Sequence, residues 1–82
     1  MKVILFPQAQ DDLDRIEDPL FSEIVRRLEL LKEYPELGAA MTGPLAGYRS
    51  LVVGFFRVVY RLQPRGVVEV AYVRDCRRRP PS

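Results

Sequence analysis

Apolar and polar residues alternate with two different periods along this chain, and the change of period divides it in two. Residues 2–6 are a short apolar run, which predicts a strand ended by Pro7. Ala9, Leu13 and Ile16 then recur at helical spacing, with Asp11, Asp12 and Asp14 expected on the wet face of a short helix. Asp18 and Pro19 are suited to an N-cap and a first helical position. They precede a stripe of Leu20, Phe21, Ile24, Val25, Leu28, Leu31 and Tyr34, so a second helix is expected to end near Tyr34, before Pro35. Residues 35–46 carry two Gly and two Pro without a period and read as a loop, long for an idle connection.

After Gly47 the period is two. Residues 48–53, 55–62 and 67–73 are rich in β-branched and aromatic side chains and are separated by turn signals at Gly54 and at residues 63–66. The predicted order is β-α-α-β-β-β, an α+β fold with two N-terminal helices on one face of a small antiparallel sheet. The single domain spans residues 1–82, and residues 74–82 form a basic, frayed tail. Two helices cover one face of such a sheet and leave the other open.

Alternation assigns the faces. Phe56, Val58, Tyr60 and Leu62 are expected toward the helices, with Val68, Val70 and Tyr72. Glu69 does not belong unpaired in a core, so its set joins the other side. The open face is then expected to hold Arg57, Arg61 and Glu69 beside Phe55, Val59, Ala71 and Val73. Apolar area of this kind on an exposed sheet marks a partner surface. A cross-strand pair between Glu69 and one arginine is the structural alternative, but one carboxylate does not satisfy two guanidiniums. Arg49 stays open. A two-residue turn at Gly54 puts it on the face opposite Arg57, and a longer turn or a bulge unites them.

Composition sharpens the picture. The chain has 82 residues, 48% hydrophobic and 29% charged, as in a globular domain. Its net charge of +2 conceals a division. Residues 1–46 hold five Lys/Arg against nine Asp/Glu, a balance of −4, and residues 47–82 hold eight Arg against Glu69 and Asp75, a balance of +6. An anionic partner for the second half is expected. A single cysteine, Cys76, and no histidine argue against a disulfide, a zinc site or an activated thiol nucleophile, so no metal or other cofactor is expected. The first apolar run is too short for a signal peptide, and no run approaches the ~20 residues of a membrane span, so a soluble cytoplasmic protein is expected.

The segment from Gly47 to Arg61 resembles the central hairpin of RelE/ParE toxins, in which a basic strand leads to a Gly turn and then an aromatic-Arg-apolar-apolar-Tyr run, here Phe56 to Tyr60. Pro7 to Leu13, Leu31 to Pro35 with Gly38, Gly43 to Leu45, and Val73 to Arg78 resemble the flanking pieces in the same order. The resemblance implies the toxin of a type II toxin–antitoxin system, in a hetero-oligomer with a cognate antitoxin that wraps the open face. It implies Phe55, Val59, Arg61, Glu69 and Ala71 as antitoxin contacts.

Two activities occur in the family. RelE-like members cleave mRNA in the ribosomal A site, and ParE-like members inhibit DNA gyrase. Cleavage needs cations for the phosphate. Arg49 and Arg57 match the family's basic positions before and after the Gly turn, and Arg74 or Arg77 matches a third near the closing strand. These four are the catalytic candidates, with Arg49, Arg57, Arg61 and Arg78 as RNA- or anion-binding candidates. The strand before the turn carries one basic residue, and the tail lacks the tyrosine often found there. Ribosome-associated mRNA cleavage is the favoured expectation. The alternatives are gyrase inhibition and a non-catalytic antitoxin-binding module.

Overall fold

Pro7 opens α1 (Pro7–Asp14) directly after β1 (Lys2–Leu5), and α2 (Leu20–Leu31) follows. The computed structural model describes residues 1–77. Ala9 and Leu13 of α1 and Ile24, Leu28 and Leu31 of α2 are buried, so each helix contributes a narrow stripe to one core. Phe21 and Val25 lie at its margin, each 37% exposed. Pro19 takes the N-cap of α2 rather than its first helical position, and Asp18, one residue further out, accepts the Ser22 N–H at 3.0 Å and the Ser22 hydroxyl. The helix ends at Leu31, short of Tyr34. There the Lys32 and Glu33 N–H groups tighten onto the carbonyls of Glu29 and Leu30, the i→i+3 pattern of a closing turn. Tyr34 is left 59% exposed.

The sheet holds β2 (Ala39–Ala40), β3 (Tyr48–Val53), β4 (Phe56–Gln63) and β5 (Val67–Asp75) in the order β1-β5-β4-β3-β2. It is mixed. The β3–β4–β5 meander is antiparallel as predicted, while β1 runs parallel to β5, with Lys2 opposite Val67 and Leu5 opposite Val70. Parallel neighbours need a long connection between them, and here both helices and the strands β2 to β4 lie between β1 and β5. The loop read from residues 35–46 supplies the edge strand β2, and the Met41 N–H donates to the Tyr48 carbonyl.

The core is apolar throughout. The helices meet Leu51, Val53, Val58, Tyr60, Val68, Val70 and Val73, and no buried charged residue occurs among the described residues. Burying each such side chain contributes about 1.5–3 kcal/mol. No helix among the described residues is long and apolar enough to cross a membrane.

Two local features set the faces of the sheet. Val53 and Phe56 pair across a two-residue turn, with Gly54 at φ +59° in its first central position. That is the position where a hairpin turn of the II′ kind requires glycine. In β5, Val59 pairs with Tyr72 but the next residue, Tyr60, pairs with Val70, so Ala71 is an extra, unpaired residue. This β-bulge reverses the alternation beyond it. Val73, expected on the open face, turns into the core. Tyr72, expected toward the helices, turns out beside Val59. Arg74 and Asp75, expected in a frayed tail, belong to the strand; residues 78–82, Arg78 among them, lie outside the described residues.

Candidate anion-binding face

Three cross-strand rows build the face turned away from the helices. Tyr48, Arg61 and Glu69 form the first, Ser50, Val59 and Tyr72 the second, and Val52, Arg57 and Arg74 the third. Lys2 and Ile4 extend it on β1, opposite Val67 and Glu69.

The first row is internally satisfied. The Arg61 Nε donates to Glu69 Oε1 at 2.9 Å, Gln63 Nε2 donates to the same oxygen at 2.9 Å, and the Arg61 guanidinium lies over the Tyr48 ring at 5.3 Å. The hydrogen bond from Gln63, followed by that from Arg61, holds the Glu69 carboxyl below the usual carboxylate range. The hydrogen bond to Glu69 raises Arg61 in turn. A carboxyl whose folded pKa is depressed adds stability that is complete above its unfolded pKa and disappears as pH falls through the folded one. Stability that depends on Glu69 is therefore expected to decay below about pH 4.3, the ordinary glutamate value. Urea titrations of wild type and Glu69→Gln as a function of pH should converge in acid and diverge above that value. Parallel curves would show that the pair adds nothing.

The second row forms the floor. Val59 points away from the helices yet is only 1% exposed. It was expected as an exposed antitoxin contact. Ser50 and Tyr72 lie directly across from it and Arg57 and Arg61 lie two residues away along its own strand, so it is a buried base on which the polar groups stand.

The third row is electrostatically unfinished. Arg57 and Arg74 are directly opposite each other, both exposed. Among the described residues Arg57 makes no hydrogen bond or ion pair. Arg74 has only its cation–π contact, with the guanidinium 5.1 Å from the centre of the Tyr72 ring. Like charges directly opposite on a sheet are destabilising, unless an anion is placed between them.

The remaining candidates are distributed elsewhere. Arg49 lies on the helix side, opposite Tyr60, where its Nη1 donates to the Gly38 carbonyl at 2.8 Å. The two-residue turn thus separates Arg49 from Arg57 and removes it from the anion-binding set. Arg77 spends its guanidinium on Asp75, at 3.1 Å through Nη2, and on the Phe55 ring, 3.5 Å from its centre. Phe55 sits at the hairpin tip, its carbonyl accepting the Cys76 N–H at 2.7 Å. Ala71 is the bulge residue.

Two participants escaped the sequence reading. Tyr72 reached this face only through the bulge. Asp12, expected in water, accepts the Val73 N–H on Oδ2 at 2.9 Å, just past the point where β1 stops pairing with β5. Gln8 Nε2 donates to its other oxygen at 2.9 Å. An open groove of about 760 Å³ lies here, at the free edge of β5, lined by Gln8, Asp12, Arg15, Phe56, Tyr72 and Arg74 among others.

Residues 3–80 match the family model of the ParE toxin of type II toxin–antitoxin systems. The chain belongs to the ParE toxin family. Solved relatives share the fold at low identity. The RelBE2 toxin–antitoxin complex from Mycobacterium tuberculosis matches with a TM-score of 0.83 and 23% identity, covering 90% of this chain and 95% of that one. The isolated E. coli RelE toxin matches with a TM-score of 0.79 and 17% identity, covering 95% and 86%. A chromosomal ParDE system from P. aeruginosa matches with a TM-score of 0.73 and 19% identity, covering 92% and 95%. No curated protein matches the sequence. The ParE family and the RelE-like fold agree with the type II toxin implied by the hairpin and its flanking pieces. Both RelE and ParE relatives are present among the solved structures.

Proposed function

We propose that this ParE-family toxin cleaves mRNA on the ribosome, with a phosphate held between Arg57 and Arg74, and that a cognate antitoxin neutralises it by covering the same face. The observation that carries the reading is the Arg57–Arg74 pair: two guanidiniums in register, exposed, and without a carboxylate among the described residues. Guanidinium forks match phosphate oxygens in bidentate, charge-assisted hydrogen bonds, and such donors stabilise the charge that develops on a phosphate under attack. Arginine does not itself exchange protons at neutral pH, so these residues position and neutralise the phosphate. An antitoxin partner is supported by the solved RelBE2 and ParDE relatives, which are toxin–antitoxin assemblies.

Gyrase inhibition is the second reading. It is favoured by the match to the ParE model and by the commitment of Glu69, the one carboxylate in the three rows, to Arg61 and Gln63. Induced expression separates the two when transcripts are mapped by primer extension beside a gyrase supercoiling assay. The proposal predicts codon-positioned cuts and normal supercoiling. Intact transcripts with blocked supercoiling would replace it with the second reading.

A further inference from the structure

We propose that Glu69 sets the footprint of the RNA on this face: by holding Arg61 it closes a second phosphate site and confines the phosphate contacts of the strand to Arg57 and Arg74. The inference rests on the RNA reading of the third row and gives the first row a restrictive part in it.

Arg57 and Arg61 share a strand and a face, yet their surroundings differ. Across from Arg57 stands a second arginine, Arg74, and across from Arg61 stands Glu69. A strand of phosphates laid along β4 from Arg57 would meet Arg61 next on that strand. Its guanidinium is already engaged, with Nε donating to Glu69 at 2.9 Å and the group lying over the Tyr48 ring. Gln63 donates to the same carboxylate oxygen, and the Glu69 side chain is 19% exposed against 39% for Arg61, so the acceptor is the more firmly seated member of the pair. Ile4 of β1 stands directly across from Glu69 on its other side. A phosphate reaching Arg61 must displace this carboxylate or lie beside it, and in either place two like charges compete for one cation. The two donors hold the Glu69 carboxyl below the usual carboxylate range, so the competitor is charged at neutral pH. The third row escapes it. Arg57 precedes Arg61 by four residues, about 13 Å along a strand, which exceeds the screening length of about 10 Å at 0.1 M salt. Glu69 therefore shuts the first row without weakening the third, and the face engages a short stretch of phosphates rather than a long tract.

Binding of a fluorescein-labelled, unstructured RNA oligonucleotide to the full chain, followed by anisotropy over a range of salt, tests this beside NMR spectra of the arginine side-chain Nε–H groups. On the wild-type protein, RNA is expected to shift the Arg57 and Arg74 signals and to leave that of Arg61 in place. Glu69→Gln keeps the shape and an oxygen for Gln63 to donate to. It is expected to bind more tightly, with a salt slope steeper by about 0.7, the value for one single-strand phosphate contact, and RNA should now shift the Arg61 signal as well. Adding Arg61→Ala to Glu69→Gln should return the slope to that of wild type. An Arg61 signal that moves together with those of Arg57 and Arg74 in the wild-type protein overturns the inference and leaves the RNA reading standing. A Glu69→Gln slope equal to wild type, or a steeper slope that persists without Arg61, does the same. The wild-type spectra decide the matter if Glu69→Gln fails to fold. Unmoved signals from all three arginines, with no RNA binding at low salt, overturn the RNA reading and the inference together.

Discussion

Arg57→Ala is expected to abolish growth arrest on expression while leaving the fold at least as stable as wild type. Arg57 is exposed, and among the described residues it has no hydrogen-bond or ion-pair partner, so its removal breaks nothing in the folded state. It also relieves the repulsion from Arg74 directly across the strands, worth about 0.2–1 kcal/mol. The loss falls on the target instead. A charge-assisted hydrogen bond is worth about 1.5–3 kcal/mol, so activity should drop roughly 10- to 150-fold, enough to take a toxin below its effective level. Arg57→Lys keeps the charge but not the planar fork and is expected to fall between the two. Growth curves paired with thermal melts make the check. Undiminished arrest would remove Arg57 from the mechanism, and a lowered melting temperature would show that Arg57 supports the fold.

Tyr60→Phe should produce the opposite pattern: a large loss of stability with no direct effect on the anion-binding face. Tyr60 is fully buried on the helix side, and burial pushes its hydroxyl pKa up. That hydroxyl donates to the Pro35 carbonyl and accepts the Gly38 N–H, each at 2.8 Å. Gly38 belongs there because an added Cβ would stand 2.8 Å from the same hydroxyl and 2.7 Å from the Ser50 carbonyl. Removing one oxygen leaves a donor and an acceptor unpaired in the interior. At about 1–3 kcal/mol per orphaned group, the cost is about 2–6 kcal/mol, which at roughly 4–8 °C per kcal/mol lowers the melting temperature by about 10 °C or more in a domain of this size. Tyr72→Phe, the same substitution on the other face, should melt within a few degrees of wild type. Equal shifts for the two variants would show that the Tyr60 bridge does not hold the loop.

Much of this architecture was legible in the sequence because burial imposes a period. Ile24, Leu28 and Leu31 mark the covered stripe of α2, and Val58 and Tyr60 mark the covered face of β4, without help from the rest of the chain. The position of Arg57 on the open face followed from the same alternation. Three things were hidden. The parallel pairing of β1 depends on where a two-helix crossover returns, which residues 2–6 do not encode locally. The side taken by Arg49 depends on a turn one residue shorter or longer, and both lengths accommodate Gly54. The bulge at Ala71 leaves no mark in an apolar stretch where Val70, Ala71, Tyr72 and Val73 suit either face. Reading straight through it exchanged Tyr72 with Val73, and so concealed the aromatic half of the site. Asp12 was missed for a related reason: its partner is a backbone N–H, and sequence does not display backbone groups that lack a strand neighbour.

The single extra residue in β5 also divides the labour of that strand. Residues before Ala71 hold the N-terminal strand in place, and those after it bring Arg74 opposite Arg57, so the two stretches answer to different constraints. A substitution at Arg74 therefore leaves the attachment of the first strand untouched, because β1 is paired only as far as Val70.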